Sequence, residues 1–172
     1  KVCWAYHGGK NKAMTVLNLP FLPIKNFDMQ RKVTQLIHEH PVAAGEIKKK
    51  WNVMAFSSSN LPQYEFLGRG KPPQKVEDFK GMTVRALGGM AGAMRALGAS
   101  IATMTATEVY QAIDRGAADA VSFPSTYAHS AYKIDEVATW FTSNMSPGTN
   151  DCPNIISLTA WNKLPEQYKK LM

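Results

Sequence analysis

Apolar residues along this chain change their spacing in a way that marks out its elements. Between Phe27 and Trp51, Val33, Leu36 and Ile37 and then Val42, Ala43 and Ile47 recur at three- and four-residue intervals, the period of an amphipathic helix. Pro41 cannot stand in a helix interior, so the pattern predicts two helical segments with a break between them. Asn52 to Phe56 reads as a short buried strand. Ser57 to Pro62 and Lys71 to Gln74 are polar breaks, and Asp78 to Gly81 closes a turn.

The stretch from Met82 to Pro124 is the most legible. Thr83 to Ala86 is a strand, Gly88-Gly89 a flexible corner, and Met90 to Leu97 a helix that Gly98 ends. Ile101 to Met104 is a second strand. Thr105 and Glu108 have the spacing of a capping box, and the helix Val109 to Asp114 follows, stopping near Gly116. Ala118 to Phe123 is a third strand, ended by Pro124. Strands alternating with short helices predict an α/β fold with mostly parallel, helix-covered sheets, whose ligands sit at the carboxyl ends of the strands.

Composition agrees with a packed protein. Of 172 residues, 45% are apolar and 19% charged, too apolar for a disordered chain. No run approaches the roughly 18 to 20 uncharged apolar residues of a membrane span; the longest candidate, Gly81 to Thr107, is interrupted by Arg85, Arg95 and glycines. The first residues show neither an apolar signal core nor an initiator Met, so the chain is expected to begin inside a longer product. The net charge of +7 is uneven: residues 1–86 hold 14 Lys and Arg against 6 Asp and Glu, residues 87–172 hold 6 against 7. The densest run, Lys48-Lys49-Lys50-Trp51, reads as the last turn of a helix, where cations suit the negative end of the dipole. A nucleic-acid binder would interleave such charge with stacking groups, so no nucleic-acid partner is expected.

Catalytic and cofactor motifs are missing. Gly88-Gly89-Met90-Ala91-Gly92 does not meet the dinucleotide spacing, and no acidic residue ends the next strand to hold a ribose. His38 and His40 lie two apart, about 200° around a helix, and would not easily share a metal. Ser57 to Ser59 lack a nucleophile elbow, and Cys3 with His7 carries no mark of a catalytic pair. No catalytic residue, metal or cofactor is expected. Arg85 stands apart, as a cation in a strand that otherwise reads apolar and small. Buried, it needs an anion. Either it pairs internally with Glu65, Glu77 or Asp119, or its planar fork clamps the carboxylate of a ligand.

Several segments resemble the solute-binding proteins of TRAP transporters. They are Leu17-Asn18-Leu19-Pro20-Phe21-Leu22, Asp78 to Arg85, Ala96-Leu97-Gly98-Ala99, Met104 to Ala120, and Trp161-Asn162-Lys163-Leu164-Pro165. The likeness runs in order over nearly the whole chain. It implies a two-lobed periplasmic clamshell that captures an organic acid and hands it to a membrane permease, and it implies that terminal portions of the protein lie outside this chain. On that pattern residues 1–59 and 149–172 belong to the first lobe and 60–148 to the second, and a monomer is expected. The rival reading is an enzyme acting on a small carboxylate on the same scaffold.

The family's strand arginine falls on Arg85. Its acid-amide-proline turn falls on Ser122-Phe123-Pro124, a departure that removes a hydrogen-bonding amide. A second basic ligand residue of some members would fall near Gln63 and Tyr64, where no Arg stands. Tyr127 lies one helical turn beyond Phe123. Trp4 and Tyr6, alternating with Cys3 and Ala5 on an expected strand, would face one side and line the cleft. One cation among aromatics predicts an apolar or aromatic monocarboxylate in preference to a dicarboxylate. The resemblance also places Cys3 and Cys152 in the same lobe, either bridged or as two separate buried thiols.

Overall fold

In the computed structural model, which describes residues 1–125 and 127–172, local chemistry sets most element boundaries. The Asn26 side chain accepts the Met29 N–H at 2.8 Å and so caps α1 (Phe27–Glu39). Pro41 then occupies the first turn of α2 (Pro41–Trp51), where its missing N–H costs nothing. Asn52, left-handed at φ 53°, ends that helix and turns the chain into β1 (Val53–Ser57). Next come β2 (Tyr64–Gly68), β3 (Thr83–Arg85), α3 (Gly88–Ala96) and β4 (Ser100–Ala102). Before α4 (Val109–Asp114) the Glu108 carboxylate accepts the N–H and the hydroxyl of Thr105, both at 2.7 Å, as the capping spacing predicts. The rest of the chain forms β5 (Ala120–Pro124), α5 (Ala128–Ala131), β6 (Trp140–Phe141), β7 (Asn154–Ser157), α6 (Leu158–Lys163) and α7 (Glu166–Lys169). No described helix is long and apolar enough to cross a membrane.

The chain divides into two compact units. One comprises Lys1–Leu17, Pro23–Leu61 and Asn150–Met172; the other comprises Asn18–Leu22 and Pro62–Thr149.

The second unit is built on a five-stranded sheet in the order β4-β3-β5-β2-β6. The expectation of mostly parallel sheets needs correction. β3 pairs in parallel with β4 and β5, but β2 runs antiparallel to both β5 and β6. Helical crossovers α3 and α4 join the parallel strands, whereas β2 has no such crossover to its neighbours. One apolar cluster joins Leu67, Val121 and Phe123 of the sheet to Val109 and Ile113 of α4 and to Ile134. Phe66, Val84, Met90 and Met94 are buried as well, and Phe66 meets Phe79 with ring centroids 5.4 Å apart. The Gly-Gly corner serves a close approach: a Cβ at Gly89 would stand 2.4 Å from the Asn18 carbonyl oxygen.

In the first unit β1 and β7 form a two-stranded antiparallel ribbon, with a core of Trp4, Met14, Ala43 and Ile47 packed beside it. Cys3 and Cys152 are joined in a disulfide, so the bridged alternative holds. The expected strand at Trp4 and Tyr6 does not form. Residues Trp4–His7 make a 3-10 turn begun by the Tyr6 N–H donating to the Cys3 carbonyl at 3.2 Å. The bridge and the Val2 N–H bond to Pro153 (3.0 Å) hold the chain just before this turn, so the two-residue alternation is lost. Trp4 becomes a core residue at 3% exposure while Tyr6 is 46% exposed; the two share no face.

Candidate ligand-binding site

The carboxyl ends of β4, β3 and β5 lie side by side, because all three strands run parallel, and Arg85 is the last residue of β3. Its guanidinium is buried, at 2% exposure. One nitrogen donates to the Ser122 carbonyl oxygen at 3.0 Å and the other to the Met104 carbonyl oxygen at 3.3 Å. These acceptors come from β5 and from the loop after β4, one on each side of β3. The guanidinium carbon also stands 4.6 Å from the centre of the Phe123 ring, within cation–π range. Phe123 in turn meets Tyr132 at 5.3 Å with the rings tilted by 51°.

The carboxylates considered as internal counter-ions have other work. Glu65 accepts the Thr142 hydroxyl at 2.5 Å and the Ser146 N–H at 2.9 Å. Asp119 accepts the Thr83 N–H at 2.7 Å, and Glu77 is exposed. Arg85 thus donates to backbone carbonyls from two neighbouring segments and stands against an aromatic ring.

The other expected residues divide. Tyr64 pairs in register with Pro124, and the Gln63 carbonyl accepts the Ser125 N–H at 3.2 Å, so both lie against the end of β5 beside Phe123. Tyr127 follows that strand and is 50% exposed; partial burial, reinforced by nearby Tyr132, raises its phenol above the usual tyrosine value. Arg85, Phe123, Gln63, Tyr64 and Tyr127 thus belong to one region of the second unit. Trp4 and Tyr6 belong to the first unit.

Two residues at this strand end were not singled out from the sequence. Tyr132 carries no motif and meets Phe123 only through the turn of α5. His129, on that short helix, hydrogen-bonds the Phe123 backbone, and its Nε2 is buried without a hydrogen-bond partner among the described residues. Burial lowers its pKa below the usual 6.5, opposed by the Phe123 bond and by Asp135 and Glu65. In the first unit, the His38 side chain is largely buried. Its Nε2 meets the buried Asp151 carboxylate at 2.5 Å, and the Ser58 hydroxyl donates to the other oxygen of Asp151. The described residues contain no group of three side chains able to hold a metal.

A family model described as bacterial extracellular solute-binding protein, family 7, matches residues 2–172. A periplasmic protein of Nostoc sp., described as monocarboxylate 2-oxoacid-binding, is 27% identical over 171 residues, covering 96% of this chain and 45% of that protein. Among solved structures, a TRAP periplasmic solute-binding protein from Roseobacter denitrificans with bound β-D-glucuronate superposes with a TM-score of 0.82 at 23% identity. That match covers 98% of this chain and 55% of the other. Another from Desulfovibrio salexigens, with bound orotic acid, gives 0.81 at 22% identity over 99% and 54%. The chain therefore has the two-lobed α/β fold of these proteins and spans about half of their length.

Proposed function

The chain belongs to the bacterial extracellular solute-binding proteins of family 7, and on that footing we propose that it captures an organic acid for a TRAP membrane permease. It does so in the periplasm, as a binding protein and not as an enzyme. The single observation that carries the reading is Arg85, a buried cation at the carboxyl ends of parallel strands, whose guanidinium donates to the Ser122 and Met104 carbonyls and stands 4.6 Å from the centre of the Phe123 ring. A guanidinium so oriented matches a carboxylate through two parallel N–H···O bonds. The lobe limits at 59/60 and 148/149 belong to the same reading, supported by compact units that divide at 61/62 and 149/150.

The substrate class follows from the neighbours of that cation. Phe123, buried beside Arg85 and Tyr132, stands where the family usually places an amide, and Gln63 and Tyr64 bring no second cation. An apolar or aromatic monocarboxylate fits this better than succinate or a sugar acid. The Nostoc relative, described as binding monocarboxylate 2-oxoacids, supports the same class. Titration calorimetry against a panel of monocarboxylates, dicarboxylates and sugar acids tests both parts. Arg85→Lys should weaken binding at least tenfold, about 1.4 kcal/mol, because a point charge cannot reproduce the fork. Phe123→Asn should narrow the gap between monocarboxylate and dicarboxylate. Unchanged affinity in Arg85→Lys overturns the clamp, and a wild-type preference for the dicarboxylate overturns the substrate class.

A further inference from the structure

The first unit carries a charged surface that ligand capture does not use. Lys48, Lys49 and Lys50 end α2, all exposed. The loop before Ala13 folds back onto them. Lys50 Nζ donates to the Lys10 carbonyl oxygen and pairs with Glu46 at 2.7 Å, while the Glu46 carboxylate also accepts the Ala13 N–H at 3.1 Å. Lys10 Nζ stands 5.6 Å from the centre of the Trp51 ring, and the indole N–H donates to Asn11 at 2.9 Å. Trp51 is nevertheless 46% exposed. Lys10 thus stands over a half-exposed indole, Lys48, Lys49 and Lys50 precede it in the last turn of α2, Lys12 is exposed in the adjoining loop, and the carboxylate among them, Glu46, is already engaged.

We propose that this surface docks on an anionic lipid bilayer. The charge is complementary to phosphate headgroups, and an indole beside lysines is the pairing that settles at a membrane–water interface. An acidic protein partner fits less well. Its carboxylates would be matched by the planar fork of arginine and by a buried anchor, and the group contains no arginine. Lysines on flexible stems suit a diffuse field of phosphates. The docking is independent of which acid Arg85 holds.

Sedimentation with vesicles of phosphatidylcholine alone, and of phosphatidylcholine mixed with phosphatidylglycerol, tests the proposal at low and high salt. Binding is expected only to the mixed vesicles and should be lost at high salt, where screening shortens to a few ångströms. Each lysine near such a surface contributes roughly fivefold to partitioning. The triple variant Lys12→Gln, Lys48→Gln, Lys49→Gln, which spares the lysines that brace the loop, should therefore partition about 100-fold more weakly. A control triple, Lys25→Gln, Lys71→Gln, Lys163→Gln, removes as much charge from exposed positions elsewhere and should partition like the wild type; circular dichroism checks that both triples fold. Equal binding to the two vesicle types overturns the proposal. So does an equal loss in both triples, which would report net charge alone. Binding to polyglutamate with none to the mixed vesicles would assign the surface to a protein partner instead.

Discussion

The unit that carries Arg85 and the unit that carries the disulfide are held together by different means. The first of these stacks five strands and buries apolar side chains such as Phe66, Val84, Val121 and Ile113 to near-zero exposure. Within this chain the other unit pairs β1 with β7, and Asn60 bridges Asp151 beside them. Its ties are a bridge between residues 149 apart, a small core around Trp4 and Ile47, and buried polar contacts. Those contacts include Asp151 with His38 and Ser58, and the Gln30 amide donating to the Leu61 carbonyl at 2.5 Å. The consequence is directional: reductant should act on one unit, cavities on the other.

The largest effect should come from removing the bridge. Cys3→Ser with Cys152→Ser is expected to cost about 2–5 kcal/mol. In hydrogen exchange, amides of α2 and β1 should lose protection while those of α4 and β5 keep theirs. Equal loss in both would break the comparison. Ile113→Ala should do the converse, opening a cavity worth about 3 kcal/mol, with protection falling across α4 and β5 and unchanged around β7. Asp151→Asn should cost about 1–3 kcal/mol, since His38 and Ser58 would face a neutral amide in place of a carboxylate. A lowered midpoint in urea with the bridge intact would show that the polar ties act beyond the covalent one. The smallest effect concerns His129. Because its folded pKa lies below the unfolded value near 6.5, the neutral form is favoured by folding. That stability is present above pH 6.5 and is lost as pH falls through the folded pKa. His129→Gln should flatten the melting temperature between pH 7 and pH 5.

Some of this was legible in the chain and some was not. The break between α1 and α2 at Pro41, the capping of α4 by Thr105 and Glu108, and the alternation β3-α3-β4-α4-β5 follow from side chains acting on their own neighbours. The 3-10 turn at Trp4 was missed because alternation over four residues carries little information, and a distant cysteine decided the path. Tyr132 and His129 were missed because no spacing marks them; they reach Phe123 only after the chain turns at Pro124.

The sequence by itself determined the break between α1 and α2, the cap of α4 and the strand–helix alternation from β3 to β5, and that one arginine stands in an apolar strand. Caps, prolines, glycines and hydrophobic period act within a turn or two, so they can be read without knowing the fold. Only the tertiary structure decided which groups surround that arginine. Ser122 and Phe123 arrive from β5 and Met104 from the loop after β4, and their distances depend on sheet order and register. The same holds for the pairing of Cys3 with Cys152 and of His38 with Asp151, contacts closed across most of the chain, which no local pattern encodes.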